Sequence, residues 1–403
     1  METVVIKICL ISLLDLLAVG LTFPLLYPYL KTLGASHTLV GVYGATYSGL
    51  QVLTGPVIGS WSDLRGRKYV ASITLIASAL CYFCIGLTSS LFIIFLLRVI
   101  LGFTKHTQTL CKALIADNVA KEKQTQVHGW STAISILGFV FGPIIGGHLI
   151  EVQNGFSYVC TLTALLFIIN FGLICSIPDN NIYKLSKTER KLYLVNFKYE
   201  FSKAVTELTN INWQVYWDVF TLRFLFSFAI SIYFSNQALY IQEEYKLSQK
   251  YVGYIISFVS VIGGVAAMMT GYIKSMYYRK DSDNLNLLFH LFLIMTVSFC
   301  SIYFSPNLII LLLLLTPFAF SSAILRIISM EVILNRSHSN DRGSLAGVSN
   351  SVMSVGRFIS PVMSGIVADS FGESKVMLFA FLPSLIGTVL CFRLVSRRKV
   401  MVD

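Results

Sequence analysis

Apolar residues occur along this chain in long runs, each closed by a short cluster of glycine, proline or charged residues. A helix needs ~20 apolar residues to cross a bilayer. The pattern predicts twelve such spans: Val4–Tyr27, Leu39–Ile58, Tyr69–Thr88, Leu91–Ala113, Val127–Ile150, Phe156–Ile177, Val219–Ile241, Tyr251–Ile273, Leu285–Phe304, Leu308–Ile328, Ala346–Val367 and Val376–Leu394. One long polar interval, Pro178–Asp218, carries Lys184, Lys187, Arg190, Lys191, Lys198 and Lys203 and divides six spans from six. The expected fold is an all-α polytopic membrane protein with twelve transmembrane helices in two six-helix pseudo-repeats. Its expected parts are an N-terminal half at 1–177, a cytoplasmic linker at 178–218 and a C-terminal half at 219–403.

The halves repeat one another. Gly138-x4-Pro143-x3-Gly147-x3-Glu151 in span 5 matches Gly356-x4-Pro361-x3-Gly365-x3-Asp369 in span 11. Gly59 to Arg67-Lys68 after span 2 is echoed by Gly271 to Arg279-Lys280 after span 8, with the acid and the second glycine lost.

Composition agrees with the run pattern. Of 403 residues, 55% are hydrophobic and 13% charged, and the mean hydropathy is +0.71. An ordinary soluble domain has about a quarter charged residues. The net charge of +11 sits on alternate loops. Arg65, Arg67, Lys68, Lys121, Lys123, the linker bases, Lys274, Arg279, Lys280, Arg336, Arg342, Arg393, Arg397, Arg398 and Lys399 fall on one side, against Lys31, Lys246, Lys250 and Lys375 on the other. That bias orients both termini to the cytoplasm. It also explains the basic balance without nucleic acid. The eight cysteines lie mostly in apolar runs. Cys81-x-x-Cys84 is one helical turn, read as small buried side chains rather than a redox pair. Val4–Pro24 lacks a basic lead and a small-residue cleavage site, and reads as a retained first span. No nucleophile–base pair, phosphate loop or metal set stands out, so neither enzyme nor cofactor nor metal is expected.

Gly59-Ser-Trp-Ser-Asp63-Leu-Arg65-Gly66-Arg67-Lys68 reads as a tight hairpin between spans 2 and 3, turned by its two glycines and held inside by its bases. Asp117, after span 4, is a natural partner for Arg67. In span 4, Arg98, Lys105 and Lys112 are seven apart, which on one continuous helix places them on a shared face with Gly102. Charges at membrane depth face a bundle interior or water, so Arg98 and Lys105 are assigned to a cavity. Lys112 is read as snorkelling to the cytoplasmic surface. His106 points about 100° from Lys105 and reads first as a hydrogen-bonded helix contact that can titrate near neutrality. Asp15 is the one acid near the middle of a span. Two readings stay open: a proton or cation site, or a structural partner of Arg98, Lys105 or Arg357. The second half adds Arg223 in span 7 and Arg357 deep in span 11, expected to face the cavity or an acid, while Arg326 near the end of span 10 is read as an end anchor. Surplus positive charge at depth attracts anions, unless Asp218 or Glu331 reaches in to offset it.

Several of these motifs resemble the major facilitator superfamily. The 59–68 stretch resembles its loop 2–3 signature, with Leu64 standing where the family has a basic residue. Gly138-x-x-x-Gly142-Pro143-x-x-Gly146-Gly147 resembles the antiporter signature at every fixed position and favours exchange over uniport. Arg98-x-x-x-Gly102 resembles the span 4 motif whose arginine is associated with proton transfer. Leu33-Gly-Ala-Ser36, Gly102-Phe-Thr-Lys105-His-Thr107 and Val355-Gly-Arg357 resemble one animal subgroup of the superfamily, the domain-containing protein nine branch, near the tetracycline-type proton antiporters. The resemblance implies the major facilitator fold and a cytoplasmic gate in which Arg67 meets Asp117 and Asp63 meets the basic end of span 11 near Arg342. It further implies a secondary transporter that works by alternating access on a small-molecule solute, with protons or a counter-solute and the lipid bilayer as its other partners; no feature of the sequence points to an oligomer, so a monomer is expected. The alternatives are cation or drug efflux through Asp15, and a transport-dead receptor or scaffold.

Overall fold

A bilayer offers no water to backbone amides, so an apolar run satisfies its own hydrogen bonds as a helix. The computed structural model describes residues 2–178, 213–281, 283–336 and 342–402, the side chains of 2, 342–344 and 399–402 excepted. Its helices are α1 (Glu2–Thr32), α2 (His37–Arg65), α3 (Arg67–Leu87), α4 (Leu91–Thr104), α5 (Thr107–Asn118), α6 (Lys121–Leu149), α7 (Gly155–Cys175), α8 (Trp213–Tyr245), α9 (Gln249–Tyr277), α10 (Leu285–Tyr303), α11 (Leu308–Arg336), α12 (Arg342–Phe371) and α13 (Ser374–Val402). Eleven spans among the described residues are long and apolar enough to cross a membrane, with α4 and α5 sharing one of them, Leu91–Asn118. The 29-residue α2, diluted by glycine, serine and threonine, completes the twelve. Helices of 29 residues are about 44 Å long against ~30 Å of hydrocarbon, so they outrun their apolar cores. Thus α8 begins at Trp213, inside the stretch expected to be linker. The linker bases Lys184 to Lys203 and the side chain of Arg342 lie outside the described residues.

The 59–68 stretch is not a loop. Helix α2 runs on to Arg65 and α3 starts at Arg67. Gly66 alone turns the chain, at φ +96°, a region only glycine enters cheaply. Gly59 is helical and meets nothing within 4 Å of an added Cβ. One interior glycine costs a helix about 1 kcal/mol, too little to end α2 early. The cysteines also differ in part from expectation: Cys81 is buried, whereas Cys84 is exposed.

The chain divides into two compact units. Unit 1 holds Met1–Ala35, the described part of Thr46–Thr206, and Ser248–Ser257; unit 2 holds Ser36–Ala45 and the described parts of Glu207–Leu247 and Phe258–Asp403. In unit 1, α1 packs on α6 and α7, and α3 packs on α7 and α4. In unit 2, α8 packs on α12 and α13, and α10 packs on α13 and α11. The four pairings correspond one to one under the repeat read from the sequence.

The glycine–proline helices are used alike in both units. Along α6, Gly138 faces the Leu13 carbonyl, a Cβ on Gly142 would lie 2.7 Å from Gly20 Cα, and one on Gly146 would lie 2.6 Å from the Leu21 carbonyl oxygen. Backbone meets backbone there, as small residues permit. Gly147 faces the start of α9 instead, where an added Cβ would lie 2.9 Å from the Gln249 carbonyl oxygen, and Gly253 faces the carbonyl of Pro143. In unit 2, Gly356 sits on Ser227 and Phe228, a Cβ on Gly365 would lie 2.8 Å from Thr38 Cα, and Gly41 faces the carbonyl of Pro361. An acid closes each arrangement. Glu151 accepts a hydrogen bond from Ser248 Oγ, just ahead of α9. Asp369 accepts the N–H groups of His37 and Thr38, each at 2.8 Å. Those N–H groups open α2 and have no partner within it, so a carboxylate there satisfies them and the helix dipole together.

Candidate solute and proton site

Span 4 is broken. Helix α4 ends at Thr104 and α5 begins at Thr107, which leaves Lys105 and His106 between them. A break at membrane depth frees backbone groups that need partners, and α2 supplies them. Gln51 Nε2 donates to the Lys105 carbonyl at 2.8 Å. Thr54 Oγ1 donates to the Gly102 carbonyl at 3.1 Å and lies 2.9 Å from His106 Nε2. Gly102 makes room for this by admitting Leu50 of α2 at 2.7 Å from its Cβ position. The expected shared face of Arg98, Lys105 and Lys112 assumed a continuous helix, and the break removes it. Lys112 is exposed, while Arg98 and Lys105 are buried.

The break delivers the ammonium of Lys105 to Asp15 of α1, with which it forms an ion pair. Of the two open readings, the structure supplies the pairing: Lys105 is the partner, rather than Arg98 or Arg357. Asp15 is 1% exposed and Lys105 6%. The second carboxylate oxygen of Asp15 accepts from Gln108 Nε2 at 2.9 Å, and Gln108 also holds the Ser12 carbonyl at 3.1 Å. The Lys105 ammonium stands 4.9 Å above the Phe167 ring. Arg98 lies with its guanidinium carbon 4.0 Å from the Tyr47 ring centroid, a cation–π contact. Its Nε has no hydrogen-bond partner among the described residues.

At the end of α2, Arg67 pairs with Asp63 and with Asp117, the latter at 3.2 Å, and donates to Ser62 Oγ. The expected Arg67–Asp117 contact is present. Asp63 is engaged by Arg67 of its own stretch; its expected meeting with Arg342 lies outside the described residues. Loss of hydration pushes the Asp63 carboxyl above its ordinary range in spite of Arg67, and Asp117 adds to the push.

In unit 2, Arg223 of α8 is buried, and its Nη1 donates to Ser329 Oγ at 2.9 Å and to the Arg326 carbonyl at 3.3 Å. Arg357 of α12 is exposed, and its Nη2 donates to Ser354 Oγ at 3.3 Å. Arg357 was expected to face a cavity or an acid, and no carboxylate meets it among the described residues. The two acids able to offset these cations are engaged elsewhere. Asp218 takes Arg336 through both oxygens, at 2.9 and 2.8 Å, and Glu331 takes Lys274.

Sequence reasoning missed Tyr47, Gln51, Thr54, Gln108 and Ser329. A signal existed for the first three: a tyrosine, an amide and a threonine spaced along a spanning run must find polar partners in lipid.

Twelve helical spans, a repeat that pairs them identically in two units, and charges buried at depth define a multi-pass membrane protein of transporter type. Residues 8–361 match the Major Facilitator Superfamily, and the chain belongs to that family of transporters. Quinolone resistance protein NorA of Staphylococcus aureus (strain COL) is 26% identical over 379 residues, 93% of this chain and 92% of the relative. Tetracycline resistance protein, class B, of Escherichia coli is 32% identical over 167 residues, 41% of each chain. A crystal structure of a bacterial homologue of the human lysosomal transporter Spinster, in an inward-facing and occupied conformation, has a TM-score of 0.80 at 13% identity. The match covers 98% of this chain and 97% of that one, and is a likeness of fold.

Proposed function

We propose that this protein is a secondary active transporter of a small organic solute, proton-coupled or exchange type, which works by alternating access and prefers anions. The reading is carried by the buried Asp15–Lys105 pair at the break in span 4. A proton on Asp15 releases Lys105 as an uncompensated buried cation, and an anionic solute group can then take the place of the carboxylate. Either occupancy neutralises the charge, whereas an unpaired charge in low dielectric is strongly disfavoured. Exchange between the two occupancies is the coupling step, and Arg98, buried seven residues earlier on the same span, assists it. The Arg67–Asp63–Asp117 cluster serves as the gate on the cytoplasmic face. The six-and-six division about a cytoplasmic linker, both termini inside and a single chain as the working unit belong to the same proposal.

A second reading is favoured by the near full-length similarity to NorA. Here Asp15 binds a proton in exchange for a cationic drug-like solute.

Proteoliposomes with an imposed pH gradient and an internal pH dye separate the two. Pooled organic anions and then organic cations are offered to the parent protein, to Asp15→Asn and to Arg98→Ala. Proton flux with anions, lost in Arg98→Ala, supports the anion reading. Flux with cations, lost in Asp15→Asn, replaces it with the efflux reading. Facilitated solute movement without proton flux in any arm counts against coupling altogether.

A further inference from the structure

Each glycine–proline helix receives the opening of another helix, and the two openings are written alike. Ser36-His37-x-x-Val40-Gly41 begins α2, and Ser248-Gln249-x-x-Val252-Gly253 begins α9. Gly41 faces the carbonyl of Pro361, and Gly253 that of Pro143. His37 and Gln249 therefore stand at equivalent positions, but their surroundings differ. In unit 1 the residue four after Glu151 is Gly155, where an added Cβ would lie 2.3 Å from the Leu149 carbonyl oxygen. No side chain fits there. In unit 2 the residue four after Asp369 is Glu373, which is 5% exposed. Its Oε2 stands 3.1 Å from His37 Nδ1. On the far side of the ring, Glu243 Oε1 at the end of α8 is 3.8 Å from Nε2. Asp369, near the end of α12, accepts the backbone N–H of the same histidine.

Three carboxylates thus surround one imidazole, from the end of α8, the end of α12 and the turn before α13. Lys375, the base in the first turn of α13, is drawn to Tyr303 of α10. Glu244 and Lys246, beyond Glu243, are exposed. Carboxylates brought together repel, and a buried one is disfavoured as an anion unless positive charge is near. Protonated imidazole supplies that charge and neutral imidazole does not, and the change falls between about pH 5 and 8. The proton belongs to the His37–Glu373 pair as a unit. The His37 side chain is 13% exposed, so protons reach it. Gaining the proton tightens the hold on the first residue of α2, and losing it loosens that hold. Gln249 has no charge to gain, so the opening of α9 lacks this response.

We infer that His37, set between Glu373 and Glu243, is a proton-binding site whose occupancy fastens the Ser36–Ala45 segment to the rest of unit 2. The inference goes beyond the transporter reading and needs neither Asp15 nor any solute. The segment is fastened in mild acid and loosens as the pH rises through neutrality. With both termini inside, the site responds to the pH of the compartment opposite the cytoplasm.

The test follows amide hydrogen exchange in the purified full-length protein in detergent, at about pH 5.5 and about pH 8, either side of the ordinary imidazole range. Each rate is divided by that of the same peptide unfolded at the same pH. Protection of residues 38–45 falls roughly tenfold from the acid to the alkaline sample, the effect of a one-unit difference in proton affinity between fastened and free states. Protection of residues 249–257 keeps nearly the same value. His37→Gln, which copies the residue at the start of α9, abolishes the pH response, and Glu373→Gln does the same. Glu243→Gln, at an exposed position, reduces it by less. Asp15→Asn leaves it in place. A side chain that only packed would, when replaced, lower protection equally at both pH values, so a response that survives His37→Gln overturns the inference. No response in the parent, or an equal one in both segments, also overturns it. Loss of the response in Asp15→Asn overturns it too, because the segment would then follow Asp15. Should His37→Gln fail to fold, unchanged responses in both glutamate variants have the same force. Absence of solute-driven proton flux in proteoliposomes, with the response intact, removes the transporter reading and leaves this site.

Discussion

Unit 1 and unit 2 are built on one plan and handle buried charge in opposite ways. Unit 1 seals one carboxylate against one ammonium, with an amide holding the spare oxygen. Unit 2 buries the Arg223 guanidinium on Ser329 and the Arg326 carbonyl, and its Asp218 and Glu331 are taken by Arg336 and Lys274. The difference teaches what each arrangement is suited to. A sealed pair is switched by something as small as a proton. A buried guanidinium held by neutral oxygens keeps its full charge whatever the proton does.

The comparison is broken most severely by removing half of the sealed pair. Lys105→Met leaves Asp15 buried without its cation, which should cost about 3–5 kcal/mol, read as a large fall in the thermal unfolding midpoint. Asp15→Asn together with Lys105→Met should recover most of that loss. If the double variant is no better than the single, the pair is not what holds this region.

Next come the glycine helices, where the units are alike. Gly365→Ala puts a Cβ 2.8 Å from Thr38 Cα, against backbone that has little freedom to yield, and should destabilise by roughly 1–3 kcal/mol. Gly59→Ala has nothing within 4 Å and should instead stabilise α2 by up to about 1 kcal/mol. Equal effects at the two positions would show that close approach does not govern either.

A smaller change is expected from Thr54→Val. It removes the hydroxyl serving the broken end of α4, at about 1 kcal/mol, and should speed amide exchange around Lys105 and His106. Unchanged exchange there would mean the break is held by other contacts. The smallest stability effect belongs to Arg67→Ala. Its partners are partly exposed, so the loss should stay below about 1 kcal/mol and shrink further in high salt. A fall of several kcal/mol would mark Arg67 as a structural support rather than a gate.

The spans, the repeat and the glycine faces were legible because a bilayer imposes length, apolarity and close packing directly on the sequence. Gly138, Gly142, Gly146 and Gly147 stood out as a pattern of small residues along one span, and each meets backbone of a neighbouring helix. The hairpin was misjudged because charge and glycine suggested a loop, although nothing before Gly66 forces a helix to stop. The break at Lys105–His106 was invisible for another reason. It contains no proline, and it depends on Gln51 and Thr54 of a different helix. Asp15 stood out as a lone acid, and choosing Lys105 over Arg98 required knowing that span 4 is not continuous. The engagement of Asp218 by Arg336 spans most of unit 2, and no local pattern announces it.

The exchanged segments set an order of assembly. Ser248–Ser257 belongs to unit 1, but a ribosome delivers it after the whole of α8. For all that interval, Gly147 and Glu151 wait at the end of α6 without their counterpart. Conversely, Ser36–Ala45, a part of unit 2, is among the earliest segments inserted and must wait for nearly the entire chain before Pro361, Gly365 and Asp369 emerge to meet it. A nascent chain cut off anywhere in the middle therefore carries two unfinished seams rather than one finished domain.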